Sequence, residues 1–127
     1  MTQWTADQLE KFGREEEVRI ESVRRDGRRR KPVTTWIVRH GDDLYARSVK
    51  GRKGHWFRGA QETHTGRIRA GGVQHDVTFV DADHGVEKDV DDAYRSKYQR
   101  YSGAILNSVL TPDARSATLK LVPRSDS

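Results

Sequence analysis

Through most of the chain, apolar and polar positions alternate with a period of two. "EVRIES", residues 17 to 22, places Val18 and Ile20 on one side and Arg19 and Glu21 on the other, as a half-buried strand requires. "PVTTWIVR" (32–39) reads as a strand through its β-branched residues and Trp36, and further strands run through "LYARSV" (44–49), with Leu44, Ala46 and Ser48 on one face, "TGRIR" (65–69), "QHDVTFVDA" (74–82) and "SATLKLV" (116–122). Asp26-Gly27, "HGDD" and "AGGV" fall between these runs and are turn sequences, the first because a tight hairpin turn needs positive φ at its centre.

The period changes in three places. "TADQLEKF" (5–12) carries Thr5 and Gln8 at capping-box spacing before Leu9 and Phe12, which predicts an N-terminal helix. "HWFRGAQE" (55–62) reads as a second short helix. From Val86, the positions Val90, Tyr94, Tyr98 and Tyr101 follow helical spacing, with acidic residues early and basic residues late, an order that complements the helix dipole. Thr111-Pro112 is an N-cap and N1 pair that marks a further helical turn. Six short strands at hairpin spacing with two or three short helices predict an α+β class built on a mostly antiparallel β-barrel.

Length and composition narrow the picture. The 127 residues match one domain, with an N-terminal helix within 1–14 and a tail at 123–127 expected to fray. Hydrophobic residues make up 33% and charged residues 34%, so the core must be economical. There is no apolar run long enough to cross a membrane. The opening stretch lacks the basic-then-apolar order of a secretory signal, and the chain is read as cytoplasmic. With no cysteine, disulfides and thiolate chemistry are excluded.

Charge is the most uneven feature. The net charge is +5, and "RRDGRRRK" (24–31) alone sums to that value, so the remainder is neutral. A dedicated nucleic-acid domain spreads its basic excess over a face or along a helix, which argues against that partner. The hairpin arginines Arg28, Arg29 and Arg30 are suited either to anion capture or to shielding an edge strand from aggregation. The five histidines show no zinc-site spacing, and no nucleophile signature is present.

"SVKGRKGHWF" (48–57) is more specific. Ser48 ends a strand, Lys50, Arg52 and Lys53 follow, and two glycines allow backbone N–H groups to approach a ligand. The helix beginning near His55 aims its positive end at that loop. Hydroxyl, cations, glycines and a helix N-terminus together predict a cradle for a small phosphorylated ligand. Trp56 and Phe57 either form an apolar wall beside it or pack the helix onto the barrel.

These stretches, "RRDGRRRKPVTTWIVRHGDDLYARSVKGRKGHWFRG" and "GRIRAGGVQHDVTFVDA", resemble a small bacterial family of uncharacterised split-barrel proteins. More distantly, they resemble the deazaflavin-dependent nitroreductase group and the FMN-binding split barrels related to pyridoxamine phosphate oxidase. The likeness covers about residues 15–122. Gly27 with Arg28 to Lys31, then Pro32, Ser48, Gly51 and Trp56, follow the order of the deazaflavin group. That resemblance implies a split barrel that binds FMN or a deazaflavin coenzyme and transfers hydride to or from a small molecule. It implies that Ser48, Lys50, Arg52 and Lys53 anchor the cofactor phosphate, with Arg28, Arg29 and Arg30 as a second cationic rim. Thr34, Thr35 and Trp36 would line the ring surface, Trp56 would add to its apolar wall, and a homodimer is implied by the FMN-binding relatives. Val33 stands where the deazaflavin group tends to carry another Arg. Two other readings therefore stay open: a cofactor-free binder or enzyme for an anionic metabolite, and a nucleic-acid binder using the basic hairpin.

Overall fold

The computed structural model describes residues 3–101 and 103–124. Seven strands form one antiparallel sheet: β1 (Val18–Ser22), β2 (Val33–Thr35), β3 (Ile37–His40), β4 (Asp43–Arg47), β5 (Thr65–Ala70), β6 (Val73–Asp81) and β7 (Thr118–Pro123). Their spatial order is β2-β1-β5-β6-β7-β4-β3. The helices are α1 (Ala6–Arg14), α2 (His55–Thr63), α3 (Glu87–Lys97), α4 (Ala104–Asn107) and α5 (Pro112–Ser116).

The two edges of this sheet, β2 and β3, are consecutive in the chain and separated only by Trp36. The run 32–39, expected as one strand, is thus two. Its first half pairs with β1 in the register Val18↔Thr35, and its second half pairs with β4 in the register Ile37↔Ala46. One extended segment therefore bends round and closes the sheet into a barrel with a single seam. This accounts for seven strands instead of six. At the bend, α3 takes over carbonyls that a barrel wall alone would leave in an apolar layer. Tyr94 Oη donates to Trp36 O at 2.8 Å, and Lys97 Nζ donates to Ile37 O at 2.6 Å.

Alternation sorts the side chains into two layers. The barrel interior holds Phe12, Val18, Ile20, Ile37, Leu44, Ala46, Phe57, Ile68, Val77, Phe79, Leu119 and Leu121, with Trp4 tied in by an Nε1 donation to Leu121 O at 2.9 Å. The second layer lies outside β3–β4, where Val38 and Tyr45 meet Val90, Tyr94 and Tyr98 of α3. Trp36 stacks on Tyr98 there, with ring centroids 3.9 Å apart.

Local signals behave as their chemistry dictates. Thr5 and Gln8 form the reciprocal capping box of α1, and Thr111 caps α5 with Pro112 at its start. The third helix stops at Lys97, short of Tyr101, and Gly103 caps α4. The terminal strand also reaches further than expected: Pro123 is buried in β7 and Arg124 N–H donates to Asp76 O at 3.0 Å. Residues 125–127 of the tail expected to fray, and residues 1–2 of the N-terminal stretch, lie outside the described residues.

Candidate functional site

Beyond Arg47 the chain leaves β4 and folds into a short turn before α2. Gly51 N–H donates to Ser48 O at 2.9 Å and Gly54 N–H to Gly51 O at 3.2 Å, so residues 48–54 curl back on themselves. Gly51 has φ +71° and packs against Asp113 of α5, where a Cβ would stand 3.1 Å from the Asp113 Cβ. Only glycine suits both the dihedral and the space. This curl brings the start of α2 beside the end of β4.

Gly54 is the N-cap of α2 and supplies no capping side chain. Helix geometry leaves the first N–H groups of α2 without intrahelical partners, and the helix dipole adds partial positive charge there. The same residue lies against Ser48: a Cβ on Gly54 would overlap Ser48 Oγ. Ser48 is 1% exposed, and its hydroxyl has no hydrogen-bond partner among the described residues. Among the described residues the buried polar atoms left without a partner are Arg30 Nε, Arg69 Nε and Arg115 Nε, and the Ser48 hydroxyl, which is not one of them, reaches the cleft surface.

That hydroxyl borders a cleft of about 260 Å³ lined by Val33, Thr34, Thr35, Ser48, Val49, Lys50, Gly54, His55 and Trp56. A second lobe of about 190 Å³ shares Thr34, Thr35 and Val49 and continues past Trp36 to Ile105, Ser108 and Val109. Its walls are mixed in chemistry. Val33, Val49 and Ile105 are 39%, 50% and 57% exposed, and Trp56 is only partly packed against the barrel core. One end thus offers N–H groups, a hydroxyl and the Lys50 ammonium, and the rest offers apolar surface.

Six of the eleven expected site residues line these lobes: Thr34, Thr35, Trp36, Ser48, Lys50 and Trp56. Five do not. Arg52 turns away, donating from Nη1 to Ser116 O at 2.7 Å while lying 5.0 Å over the Phe57 ring. Lys53 is exposed and borders neither lobe. Arg28 pairs with Asp26 at 3.2 Å, Arg29 lies 3.9 Å from Glu21, and Arg30 pairs with Glu62 at 2.9 Å. The hairpin arginines are engaged with nearby carboxylates and stand apart from the cleft. Phe57 is a core residue, whereas its neighbour Trp56 faces the cleft.

Several lining residues had no individual signal in the sequence. Ile105, Ser108 and Val109 reach the cleft from a segment about sixty residues away, which periodicity cannot place. His55 could have been found, since it opens α2.

Directly behind the cleft lies a buried ionic cluster. Arg47, 1% exposed, pairs with Asp91 and donates to Thr118 Oγ1 at 2.9 Å, Val109 O at 3.0 Å and Glu87 O at 3.0 Å. Asp91 also receives Arg115 at 2.6 Å. This cluster ties α3, the segment at Val109 and β7 to β4, and so fixes one wall of the second lobe. Further along α3, burial lowers the Lys97 ammonium from its ordinary range to about 8 and pushes the Tyr98 hydroxyl up. Among the described residues, no cluster of His, Asp or Glu could hold a metal ion. No helix among them is long and apolar enough to cross a membrane.

Residues 8–121 match the family described as "Uncharacterized protein conserved in bacteria (DUF2255)". No curated protein matches the sequence. Among solved structures, the fold is similar to HutZ, the heme storage protein from Vibrio cholerae, with TM-score 0.65 and 12% identity, covering 98% of this chain and 92% of that one. It is similar to an FAD-binding protein from Mesorhizobium loti, with TM-score 0.58 and 15% identity over 98% and 93% of the two chains. An F420 reductase also matches, with TM-score 0.53 and 13% identity over 91% and 90%. At these identities the likeness is one of fold, and that fold is the split barrel.

Proposed function

We propose that this chain, which belongs to the uncharacterised bacterial DUF2255 family, binds a flavin-type cofactor in the cleft beside Ser48 and acts as an oxidoreductase on a small molecule. The observation that carries this reading is the Ser48 hydroxyl at the cleft, with no hydrogen-bond partner among the described residues, beside the uncapped N-terminus of a nine-residue helix. A phosphate would accept from that hydroxyl and from the first N–H groups of α2, with Lys50 supplying the nearby positive charge. Gly54 leaves the space that a Cβ would take from the anion and from the hydroxyl alike.

The apolar remainder suits a flat ring. Thr34 and Thr35 form one side, and Val33, Val49, Trp56 and Trp36 border it. Ligand sites commonly combine an apolar lining with a few fixed polar groups, and the two lobes together approach the size that such sites have. Solved structures of the same fold include proteins described as FAD-binding and as an F420 reductase, which supports a ring cofactor over an unrelated anion. Once bound, such a cofactor supplies the hydride chemistry, so no acid–base pair from the protein is required. The chain's own contribution is to anchor the phosphate, flank the ring and keep water from its apolar side. The exposed valines and Ile105 around the mouth would also be covered in a homodimer, which sedimentation would detect.

The test is direct. Purified protein is expected to absorb in the visible range, or to gain roughly 3 kcal/mol of stability with FMN or a deazaflavin at about 100 times Kd. No absorbance and no thermal shift with either compound would remove this reading. Stabilisation by a phosphorylated metabolite without a ring system would favour the second one, a cofactor-free anion binder, which Val33 at the cleft edge supports because no arginine stands there.

A further inference from the structure

A second groove of about 580 Å³, which shares only His55 with the cleft, is lined by Arg25, Arg30, Arg52, Arg58, Gln61 and Glu62 together with His55, Phe57 and Gly59. Four arginines meet one carboxylate there. We propose that this groove is a second anion site, independent of the cleft, for a small molecule carrying a phosphate or carboxylate group.

Its arginines are held in place before any ligand arrives. Arg52 is fixed from two directions, by the Ser116 carbonyl at 2.7 Å and by the Phe57 ring at 5.0 Å. Arg30 lies across α2 where Gly59 lacks a side chain: a Cβ there would stand 2.7 Å from Arg30 Nε. Arg30 Nη2 donates to Glu62 at 2.9 Å, yet its Nε is buried with no acceptor. Arg58 is exposed, and its guanidinium has no carboxylate, carbonyl or ring partner among the described residues. An immobilised guanidinium loses less freedom on binding an oxyanion than a mobile one, and its planar fork matches phosphate and carboxylate geometry.

Glu62 shows what the groove accepts. Its carboxylate takes the Arg30 guanidinium and the Arg25 backbone N–H at 3.2 Å, with Arg25 Nε 3.9 Å away. One internal oxyanion therefore satisfies two of the four arginines and leaves Arg52 and Arg58 facing the groove without one. Two features argue for a small anion over a nucleic-acid strand. Of the two rings that line the groove, Phe57 is 1% exposed and offers no stacking surface, which leaves the single imidazole of His55 where strand binding stacks successive bases on several rings. The neighbouring hairpin cations Arg28 and Arg29 are engaged with Asp26 and Glu21, so no continuous basic track extends from it.

The experiment is a titration of the full chain with inorganic phosphate, and in parallel with citrate, read by NMR at the arginine Nε–H and backbone N–H signals. The expected result is a shift of the Arg52, Arg58 and Glu62 signals, with affinity weakened about tenfold by Arg58→Ala and tightened several-fold by Glu62→Gln. Phosphate and citrate arms report which oxyanion class is preferred, and a response to either supports the site. Arg58 is exposed, so its truncation leaves the fold intact, and Arg52→Lys, which keeps the charge but not the fork, is expected to weaken binding several-fold. Shifts confined to Ser48, Gly54 and Trp56 would overturn the proposal while leaving the cleft intact. Affinity unchanged in both Arg58→Ala and Glu62→Gln would overturn it as well. So would a short single-stranded oligonucleotide that binds the groove far more tightly than either small anion.

Discussion

Arg47 and Ser48 are neighbours in the chain, equally buried, and opposite in how their polar groups are used. The Arg47 guanidinium is paired with Asp91 and donates to a threonine hydroxyl and two carbonyls. The Ser48 hydroxyl borders the cleft and has no hydrogen-bond partner among the described residues. Successive side chains at a strand end face opposite ways, so one enters the layer between barrel and α3 and the other enters the cleft. Burial alone does not separate structural from functional polar groups. What differs between these two is whether the protein itself satisfies the group.

The strongest way to break this contrast is to remove Arg47. Arg47→Met is expected to destabilise the fold by about 3 to 5 kcal/mol, because Asp91 stays buried with only Arg115 against it. Denaturant unfolding measures this, and a loss below about 1 kcal/mol would mean that the cluster is not holding α3 to the barrel.

A second test uses pH on the same outer layer. Lys97 falls from 10.5 to about 8 through burial, so between these values the unfolded chain binds more protons. Stability therefore rises with pH from about 8 upward, by about 3 kcal/mol in total, of which about 2 is gained below pH 10. Tyr94 and Tyr98, raised above their usual 10.0, act in the opposite sense only beyond that value, which leaves a readable window below it. Lys97→Met is expected to flatten the slope, and an unchanged slope would assign it to another group.

The cleft side is probed by Gly54→Ala. The added methyl overlaps Ser48 Oγ, at an expected cost of about 1 to 2 kcal/mol. In a Ser48→Ala background more than half of that cost should return, and simple additivity would show that the two residues do not press on each other.

The smallest stability effect belongs to Ser48→Ala itself, within about 0.5 kcal/mol of wild type in the absence of ligand, since its hydroxyl faces the cleft and has no partner among the described residues.

Strand parity and turn chemistry made most of the barrel legible. "EVRIES", the 65–82 hairpin and "SATLKLV" all carry their interior residues at every second position, and Asp26-Gly27 and "AGGV" mark their turns. The bend at Trp36 was not legible, because a strand that changes partners midway has the same local pattern as one that does not. Ser48, Lys50 and Trp56 could be grouped because they are close in sequence and bracket a helix start. Arg52 could not be separated from them, since its partner Ser116 lies 64 residues away. Asp91 read as one more helix-start acid. Its pairing with Arg47 depends on how α3 lies across β4, which no local pattern records.

The central claim is that Ser48 and the start of α2 hold a phosphate beside an apolar ring site. Its most direct test is to titrate wild type and Ser48→Ala with FMN and with riboflavin, the same ring without the phosphate, following ligand fluorescence. The prediction is that wild type prefers FMN by about tenfold, close to 1.4 kcal/mol, and that Ser48→Ala loses most of this preference while riboflavin binding stays the same. Equal affinity for both ligands in wild type, or a preference for FMN that survives unchanged in Ser48→Ala, would contradict it.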